Sequence, residues 1–546
     1  PELRAELAAG GWAFRTRSDT EVVLAAFATW GNDAWRRLEG MFAVAVWDAR
    51  ERCLTLARDP LGIKPLHFMM RDGGVAFASE IRALRSMGGR DFNLDERAVH
   101  DFFVFGHVLK PRTIWHGVQS LEPGHFMTLA ASGQPRFTRY WKPLFMARHD
   151  LSEAAWIAQT RDEVRGAVSR HMLADVPVGL FLSGGVDAAV VAAALARRAG
   201  ASFTAFTLGL PGSRLDESAD AARIARHLGL EHRVLPLEPL AAGEALPQVQ
   251  AAFDEPCAAT AAVPFWHLAR MAADHVKVVL TGEGADEVFA GYKRQRTALL
   301  AARLRPLLRL AGPLANAADL PGARWQALRR LCLSAGLDSG VQQFFQATQI
   351  TTPWLRERLL EPDFSGQFAS AHPFADWEAE QFGRPGPGEL DPLDQFLLAD
   401  LTVHLPSSLL PRTDLASMAH GLEARVPFLS HRLVDWALTM PRGMKLRGRT
   451  GKYTLRQAFA ADLPPGALEG AKRGFQLPFA EWFSGGFAPF AREAWAGSGA
   501  RRAGFLRESE VERLFADHAA GRADHGRILF ALAMFACWWE QNAHAG

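Results

Sequence analysis

Two glycine-rich loops carry the residues of this sequence that are best suited to chemistry. The first lies in LFLSGGVDAAVV (180–191), where a serine, two glycines and an aspartate follow an apolar run. Glycines between a strand and a helix direct backbone N–H groups at an anion, usually a phosphate. The common phosphate-loop pattern, GxxxxGK[ST], does not follow Gly179. We therefore interpret SGGxD as a different cradle, with an ordinary glycine turn as the alternative. Its pyrophosphate-binding residues are Ser183, Gly184, Gly185 and Asp187, and the carboxylate of the last suits Mg²⁺.

The second loop lies in VVLTGEGADEVFAGYKR (278–294), which also follows an apolar run. Glu283, Asp286 and Glu287 fall within five residues, and carboxylates so close together repel one another unless they are solvated or bound to cations. A solvated acidic turn fits poorly with the apolar residues on both sides. Because ligands bind beyond the carboxyl ends of parallel strands, we expect the two loops to share one metal and pyrophosphate site.

A third candidate is Lys452, in the stretch RGRTGKYTLR (447–456). It follows a glycine at the predicted start of a helix, from which a long side chain reaches into a cleft. The alternative is a surface lysine that neutralises nearby acids.

The elements that position these loops change along the chain. Between 38 and 80, short apolar runs separated by turns predict an antiparallel sheet with few helices, ending near 145. After 145, strand-like runs such as VGLFL and VKVVL alternate with helical ones, which predicts a parallel sheet. From about 293 to the end the pattern is mainly helical.

Composition narrows the class of protein. A chain of 546 residues, 49% hydrophobic and 22% charged, is typical of a globular protein with two or more domains. The net charge of +2 gives no support to a nucleic-acid or membrane-surface role. The segment 176–196 is apolar, but Pro177, the glycine turn and Asp187 argue against a membrane span. The scattered cysteines predict free thiols in a reducing cytoplasm; they are Cys53, Cys257, Cys332 and Cys537.

Taken together, these segments resemble a known family. SGGVDA, TGEGADEVFAGY, SMAHGLEARVPFLS and KYTLR are similar, in this order, to motifs of the synthetase domain of glutamine-dependent asparagine synthetases. The resemblance runs from about 170 to 485. Four earlier stretches resemble the glutaminase domain of that family, a class II amidotransferase; they are FRTRSDTEVVL (14–24), GMFAVAVWD (40–48), ARDPLGIKPLHF (57–68) and FASEIRAL (77–84).

The resemblance implies a two-domain architecture. Residues 1–145 would form an α+β glutaminase domain of the Ntn type, with antiparallel sheets. Residues 151–546 would form an α/β synthetase domain of the ATP-pyrophosphatase type, with a parallel sheet and a helical C-terminal region. The resemblance leaves open whether the protein forms a homodimer. It implies small-molecule substrates and no nucleic-acid or membrane partner.

It also implies a reaction. A carboxylic acid, aspartate in most of the family, attacks the α-phosphate of ATP, and ammonia from glutamine then converts the acyl-adenylate to an amide. ATP and Mg²⁺ are the implied cofactors, with AMP and pyrophosphate as products. Beside the pyrophosphate cradle, the implied nucleotide contacts are Leu208, Thr281 and Gly282, and the implied metal ligands are Asp187 and Asp286. The implied catalytic residues are Lys452, Glu283 and Tyr292, and Asp19 is the implied glutamine contact.

Three departures from the family pattern stand out. Ala188 replaces the usual serine of the first loop, which removes a hydroxyl from the phosphate cradle, and Ser430 replaces the aspartate of PFLD. The family's nucleophile, a cysteine directly after the initiator methionine, has no counterpart here, because Pro1 aligns just after the family's glutamine-binding stretch NGEIYN. We therefore expect that the N-terminal part of the glutaminase domain is missing from the sequence as printed.

Three other functions are considered. The same fold serves amidation of larger acids, such as peptides, cell-wall or glycan precursors, and ring closure in β-lactam synthetases. An RNA-modifying enzyme with the same pyrophosphate loop is disfavoured, because the sequence has a glutaminase-like first part and no CxxC or basic tail. Only Ala188 and the unmatched nucleophile favour a non-catalytic binding protein.

Overall fold

The computed structural model of this chain describes residues 1–71, 73–87, 92–131, 133–196, 203–310, 323–368, 377, 390–469, 478, 482–483 and 487–542. In the N-terminal region, strands form two antiparallel sheets, with orders β1-β2-β6-β7 and β4-β3-β5. Their bounds are β1 Ala43–Asp48, β2 Cys53–Arg58, β3 His67–Arg71, β4 Gly74–Ala78, β5 Val118–Ser120, β6 His125–Ala130 and β7 Arg136–Arg139.

The N-terminal region departs from the single helix-poor sheet that its pattern predicts. The four predicted strands form, but β3 pairs with β5 instead of β2, so β3 and β4 belong to a second sheet. Local patterns identify strands and leave their long-range partners open. The described residues of this region also form four α-helices; they are Glu2–Ala9, Asp19–Trp30, Ile81–Ser86 and Glu96–Phe105.

A five-stranded, fully parallel sheet follows, with the order β10-β9-β8-β11-β12. Its strands are β8 Val178–Phe181, β9 Thr204–Gly209, β10 Glu231–Pro236, β11 Val278–Leu280 and β12 Glu423–Arg425. The central strands β8 and β11 are almost wholly apolar and buried, as strands covered on both faces must be. The expected antiparallel sheets, parallel sheet and helical C-terminal region are thus confirmed.

The helix after β8, Val186–Ala196, explains the apolar segment of the sequence. Nearly all of its residues are buried, because it packs between the sheet and the helix Glu153–His171. A helix that is apolar all round belongs in a protein core as readily as in a membrane. In the described parts of the chain, no helix has both the length and the apolarity needed to cross a bilayer.

The remaining helices surround the parallel sheet and fill the C-terminal region. They are Ser218–Leu228, Pro239–Glu244, Leu246–Ala251, Ala262–Ala273, Ala285–Phe289, Lys293–Arg303, Ala323–Gly336, Gly340–Thr348, Pro353–Leu359, Pro362–Gly366, Pro392–Ala399, Leu410–Met418, His431–Leu438, Arg442–Lys445, Tyr453–Phe459, Phe487–Gly497, Glu508–Ala519 and Gly526–Asn542. A short antiparallel pair, β13 Leu446–Arg447 and β14 Thr450–Gly451, precedes Lys452. All four cysteines are free thiols.

One helical segment has unusual geometry. Between Pro392–Ala399 and Leu410–Met418, residues Asp400–Leu409 form a π-helix that contains Pro406. A proline lacks the N–H of the α-helical ladder, and π-helical turns recur at functional sites. This segment positions side chains of the cleft described below.

Candidate functional site

The two glycine loops of the sequence meet at one edge of the parallel sheet. Strands β8 and β11 are neighbours, with Val178 opposite Val278 and Leu180 opposite Leu280. The loops that leave their carboxyl ends therefore face each other, at the position where α/β sheets bind ligands. Both loops line a cleft of about 1100 Å³.

The two loops approach so closely that glycine is required. A Cβ on Gly282 would lie 2.7 Å from Cβ of Asp187 and 2.8 Å from the backbone nitrogen of Ala188. A Cβ on Gly291 would overlap the carboxylate of Asp286 and the Lys452 side chain. Gly282 thus permits the contact between the two loops, and Gly291 leaves room for Lys452 beside Asp286.

Lys452 joins the loops by charge. Its Nζ lies 2.5 Å from Oδ1 of Asp187 and 2.6 Å from Oδ1 of Asp286, and the residue is 4% exposed. Burial lowers the pKa of Lys452, while the Asp187 carboxylate opposes that shift. The ammonium of Lys452 therefore contacts the carboxylates of Asp187 and Asp286 at the same time.

The backbone at Lys452 is itself constrained. The residue has φ 56° and ψ 38°, in the left-handed region that costs a non-glycine residue about 1–2 kcal/mol. Its N–H donates to the carbonyl of Phe289 at 2.9 Å, which ties it to the second loop. Non-glycine residues in this conformation cluster at functional sites, where the surrounding structure imposes the strain.

Glu283 has a partner that sequence reasoning missed. Nη2 of Arg412 lies 2.5 Å from Oε1 of Glu283 and 3.2 Å from Oγ1 of Thr413. Arg412 is largely buried, and it lies in the helix Leu410–Met418 that follows the π-helix. The stretch LPRTD contains Arg412, but no periodicity or spacing marks it as a partner of a loop about 130 residues away.

Tyr292 belongs to a buried polar group. Its hydroxyl donates to Oε1 of Glu287 at 2.5 Å. Burial, together with the nearby Asp400 carboxylate, raises the pKa of Glu287 to about 7, against the effect of the Tyr292 hydrogen bond. The guanidinium of Arg294 lies 3.7 Å from the centroid of the Tyr292 ring and pairs with Asp400. Near neutral pH, Glu287 is therefore divided between its carboxyl and carboxylate forms.

The structure brings together most of the residues expected at the site. The expected residues that line the cleft are Ser183, Gly184, Gly185, Asp187, Thr281, Gly282, Glu283, Asp286, Tyr292 and Lys452. Leu208, in β9, does not line the cleft, because its side chain is buried in the apolar core. Asp19 is exposed at the first turn of the helix Asp19–Trp30, away from the cleft.

The two positions where the residue differs from the family pattern, Ala188 and Ser430, have different surroundings. Ala188 lines the cleft in the first turn of the helix Val186–Ala196. Ser430 precedes the helix His431–Leu438, and its hydroxyl lies 3.4 Å from Oε1 of Glu39 in the N-terminal region.

Comparisons with known proteins agree with this geometry. The asparagine synthase family profile matches residues 159–540, and the glutamine amidotransferase domain profile matches residues 1–141. A relative from Mycobacterium tuberculosis with asparagine synthetase (glutamine-hydrolyzing) in its name is 36% identical over 98% of this chain and 82% of its own length. Asparagine synthetase (glutamine-hydrolyzing) 1 of Bacillus subtilis is 31% identical over 99% of this chain and 84% of its own. The chain therefore belongs to the asparagine synthase family and is an enzyme of the glutamine-hydrolysing asparagine synthetase type.

Proposed function

We propose that this enzyme forms an amide from a carboxylic acid, ATP and ammonia through an acyl-adenylate, with aspartate as the first candidate acid and asparagine as its product. Glutamine or free ammonium supplies the nitrogen, and AMP and pyrophosphate leave. The observation that carries the proposal is the convergence of Asp187, Asp286 and Lys452 between two glycine loops at the carboxyl edge of the sheet. Asp19 is proposed to contact glutamine.

The first loop suits a pyrophosphate. Ser183 and the two glycines after it line the cleft at the start of the helix Val186–Ala196, and the N-terminus of a helix suits an anion. Thr281 and Gly282, from the adjacent strand end, are proposed to contact the nucleotide. The adenine is proposed to lie beyond β9, although the side chain of Leu208 itself is buried.

Asp187 and Asp286 suit Mg²⁺. Their Oδ1 atoms point at one position, as their shared contact with Nζ of Lys452 demonstrates. The described residues hold no group of three or more side chains suited to a metal, but Mg²⁺ usually takes one or two carboxylates and completes its shell with phosphates and water. When bound there, Mg²⁺ would neutralise charge on the leaving pyrophosphate.

Lys452 is proposed to stabilise negative charge during formation or breakdown of the adenylate. Its ammonium is buried and lines the same cleft as the first loop, so a positive charge lies near the proposed phosphate site. Glu283, held by Arg412, is proposed to assist adenylate formation. Tyr292 donates a hydrogen bond to Glu287, and Tyr292 is proposed to support the adenylation site.

The test is exchange of labelled pyrophosphate into ATP in the presence of L-aspartate. Asp187→Asn and Asp286→Asn should each abolish this exchange without unfolding the protein, since each removes a charge facing Mg²⁺. Asp338→Asn is the matched control, because Asp338 is 79% exposed in a surface pair with Arg309. Near-normal exchange in either cleft variant would mean that the cradle lies elsewhere.

A larger acid is the second candidate. Amidase chyE of Penicillium rubens, whose name does not mention asparagine, is 25% identical over 86% of this chain and 74% of its own length. Acid-dependent exchange with small peptides but not with aspartate would identify this alternative. Product formation without any added nitrogen donor would identify ring closure.

A further inference from the structure

Arg527 places a positive charge in the cleft without a partner. It is the second residue of the helix Gly526–Asn542, and it lines the same cleft as Lys452. Within the described chain, its guanidinium forms no ion pair or hydrogen bond with another residue. Lys452, Arg412 and Arg294 differ from it, since each is paired with a carboxylate.

The environment of Arg527 is protein on most sides, although its surface is accessible from the cleft. Surrounding protein lowers the pKa of Arg527, and the nearby charges of Arg330 and Arg294 lower it further. The acid that opposes them is Asp524, which is 72% exposed and faces His518. A guanidinium keeps its proton in such surroundings, so the positive charge remains, and no carboxylate of the described chain forms a direct ion pair with it.

Two histidines share this end of the cleft. The rings of His107 and His404 lie 6.1 Å apart, and the His404 ring lies 6.4 Å from that of Tyr292. Burial, followed by the charges of Lys110 and Arg527, lowers the pKa of His107 to about 4. His107 is therefore neutral near pH 7. In the described chain, the buried Nδ1 of His404 has no hydrogen-bond partner.

These groups line one cleft. Lys452 contacts Asp286, whose neighbour Glu287 accepts a hydrogen bond from Tyr292. The rings of Tyr292, His404 and His107 follow at centroid distances of 6.4 and 6.1 Å, and Arg527 lines the same cleft. An acid bound at the proposed adenylation site would share this cleft with Arg527. Arg527 can bind an oxyanion with two parallel N–H donors, an arrangement that a single lysine cannot offer.

We propose that Arg527 binds a second anionic group of the acid substrate, apart from the carboxyl that is activated, and so determines which acids are accepted. His107 and the free Nδ1 of His404 supply neutral hydrogen-bonding groups beside it. This inference rests on the proposed function, because it identifies the cleft as the binding place of the acid.

The test is calorimetric titration of the chain, saturated with Mg²⁺ and a non-hydrolysable ATP analogue, with succinate and with butyrate. The two acids have the same carbon number and differ by one carboxylate. The parent should bind succinate more tightly. Arg527→Gln should weaken succinate binding by about 10- to 100-fold, as expected for one hydrogen-bonded charge, and leave butyrate binding within about twofold. Arg527→Lys should retain part of the preference.

Arg330→Gln is the matched control, since Arg330 contributes to the same positive field but does not line the cleft. It should leave the preference for succinate unchanged. Absence of succinate binding or of a preference in the parent would overturn the proposal. So would an Arg527→Gln variant that keeps the preference, or an equal loss in Arg330→Gln.

Failure of the proposed function gives a different result. If no acid supports pyrophosphate exchange while succinate binding still depends on Arg527, the adenylation chemistry is wrong and the anion subsite stands. Circular dichroism checks that the Arg527 variants fold, which is expected because Arg527 makes no ion pair or hydrogen bond that folding would lose within the described chain.

Discussion

Lys452 separates two carboxylates that would otherwise repel each other. With Asp187 at 2.5 Å and Asp286 at 2.6 Å, its ammonium occupies the position where the proposed Mg²⁺ would share the same ligands. Under the proposed function, Lys452 and a Mg²⁺ held by these carboxylates would take the same place in the cleft. The ammonium of Lys452 would then turn toward the reacting phosphate, where its effect would arise in the transition state.

Lys452→Ala should lower kcat for ammonium-dependent amide formation by several hundred-fold or more, about the loss from removing one oxyanion donor, with a smaller effect on KM. Lys452→Arg should rescue little, because a planar guanidinium does not replace a compact charge between two carboxylates. Lys445→Ala is the control, since Lys445 is equally buried but pairs with Asp394 away from the cleft. Steady-state kinetics measure both variants; a kcat of Lys452→Ala within threefold of the parent would exclude a catalytic role.

A substitution at Ala188 tests the phosphate cradle, with a smaller expected effect than that of Lys452→Ala. Ala188→Ser should tighten ATP binding by at most about 1.5–3 kcal/mol, the value of a hydrogen bond to a charged group, if a hydroxyl at this position reaches phosphate. Ala189→Ser is the matched control, because Ala189 is fully buried one residue further and does not line the cleft. Calorimetric titration with ATP measures both, and equal affinities would place the phosphate beyond reach of residue 188.

At the scale of elements, the sequence predicted those features that depend on residues close together in the chain. The loops after β8 and β11 are identifiable because each combines an apolar strand, glycines and acids within about ten residues. The sequence did not predict three residues near the site, Asp400, His404 and Arg412. The first two lie in the π-helix Asp400–Leu409 and Arg412 in the helix that follows it, and these helices reach the cleft only through tertiary packing. Strand β12 was missed for a similar reason: three residues, Glu423–Arg425, form a strand only because β11 is there to pair with them.

The helix Glu153–His171 contains a titratable group that makes stability depend on pH. Burial lowers the pKa of His171 to about 4, and its Nδ1 hydrogen-bonds the carbonyl of Ala167 at 2.9 Å. Its neutral form therefore contributes stability above pH 6.5, which is lost as the pH falls toward 4. His171→Gln should reduce the drop in free energy of unfolding between pH 7 and pH 4 by at most about 3 kcal/mol. Urea unfolding at both pH values measures this, with His149→Gln, at an exposed position, as the control; equal pH dependence in parent and His171→Gln would contradict it.

At the scale of the whole molecule, ion pairs link the N-terminal region to the residues that form the cleft. Nζ of Lys64 lies 2.7 Å from Oδ1 of Asp414, in the same helix as Arg412. The ammonium of Lys110 contacts Glu255, which also accepts a hydrogen bond from the N–H of Ile114 at 2.7 Å. Because Arg412 holds Glu283, one helix connects the amidotransferase region with the proposed adenylation site.

Asp254 joins three regions of the chain. Its carboxylate accepts hydrogen bonds from the N–H of Ile81 at 2.5 Å and from Nε of Arg82 at 2.7 Å, and its carbonyl accepts one from Nε1 of Trp538 in the C-terminal helix. The carboxylate is 5% exposed, whereas Arg82 is 50% exposed, so solvent weakens the ion pair between them. The buried hydrogen bond from the N–H of Ile81 therefore contributes more to stability than the ion pair does.

Asp254→Asn should therefore lower the free energy of unfolding by about 1–3 kcal/mol, since an amide NH₂ would face a donor in place of one acceptor oxygen. Urea unfolding followed by tryptophan fluorescence measures the change. Asp150→Asn is the matched control, because Asp150 pairs with Arg148 at the surface, where solvent weakens the pair, and should leave stability almost unchanged. If the two variants lost equal stability, the contact between the N-terminal region and Asp254 would depend on the apolar surface around Asp254 and not on its carboxylate.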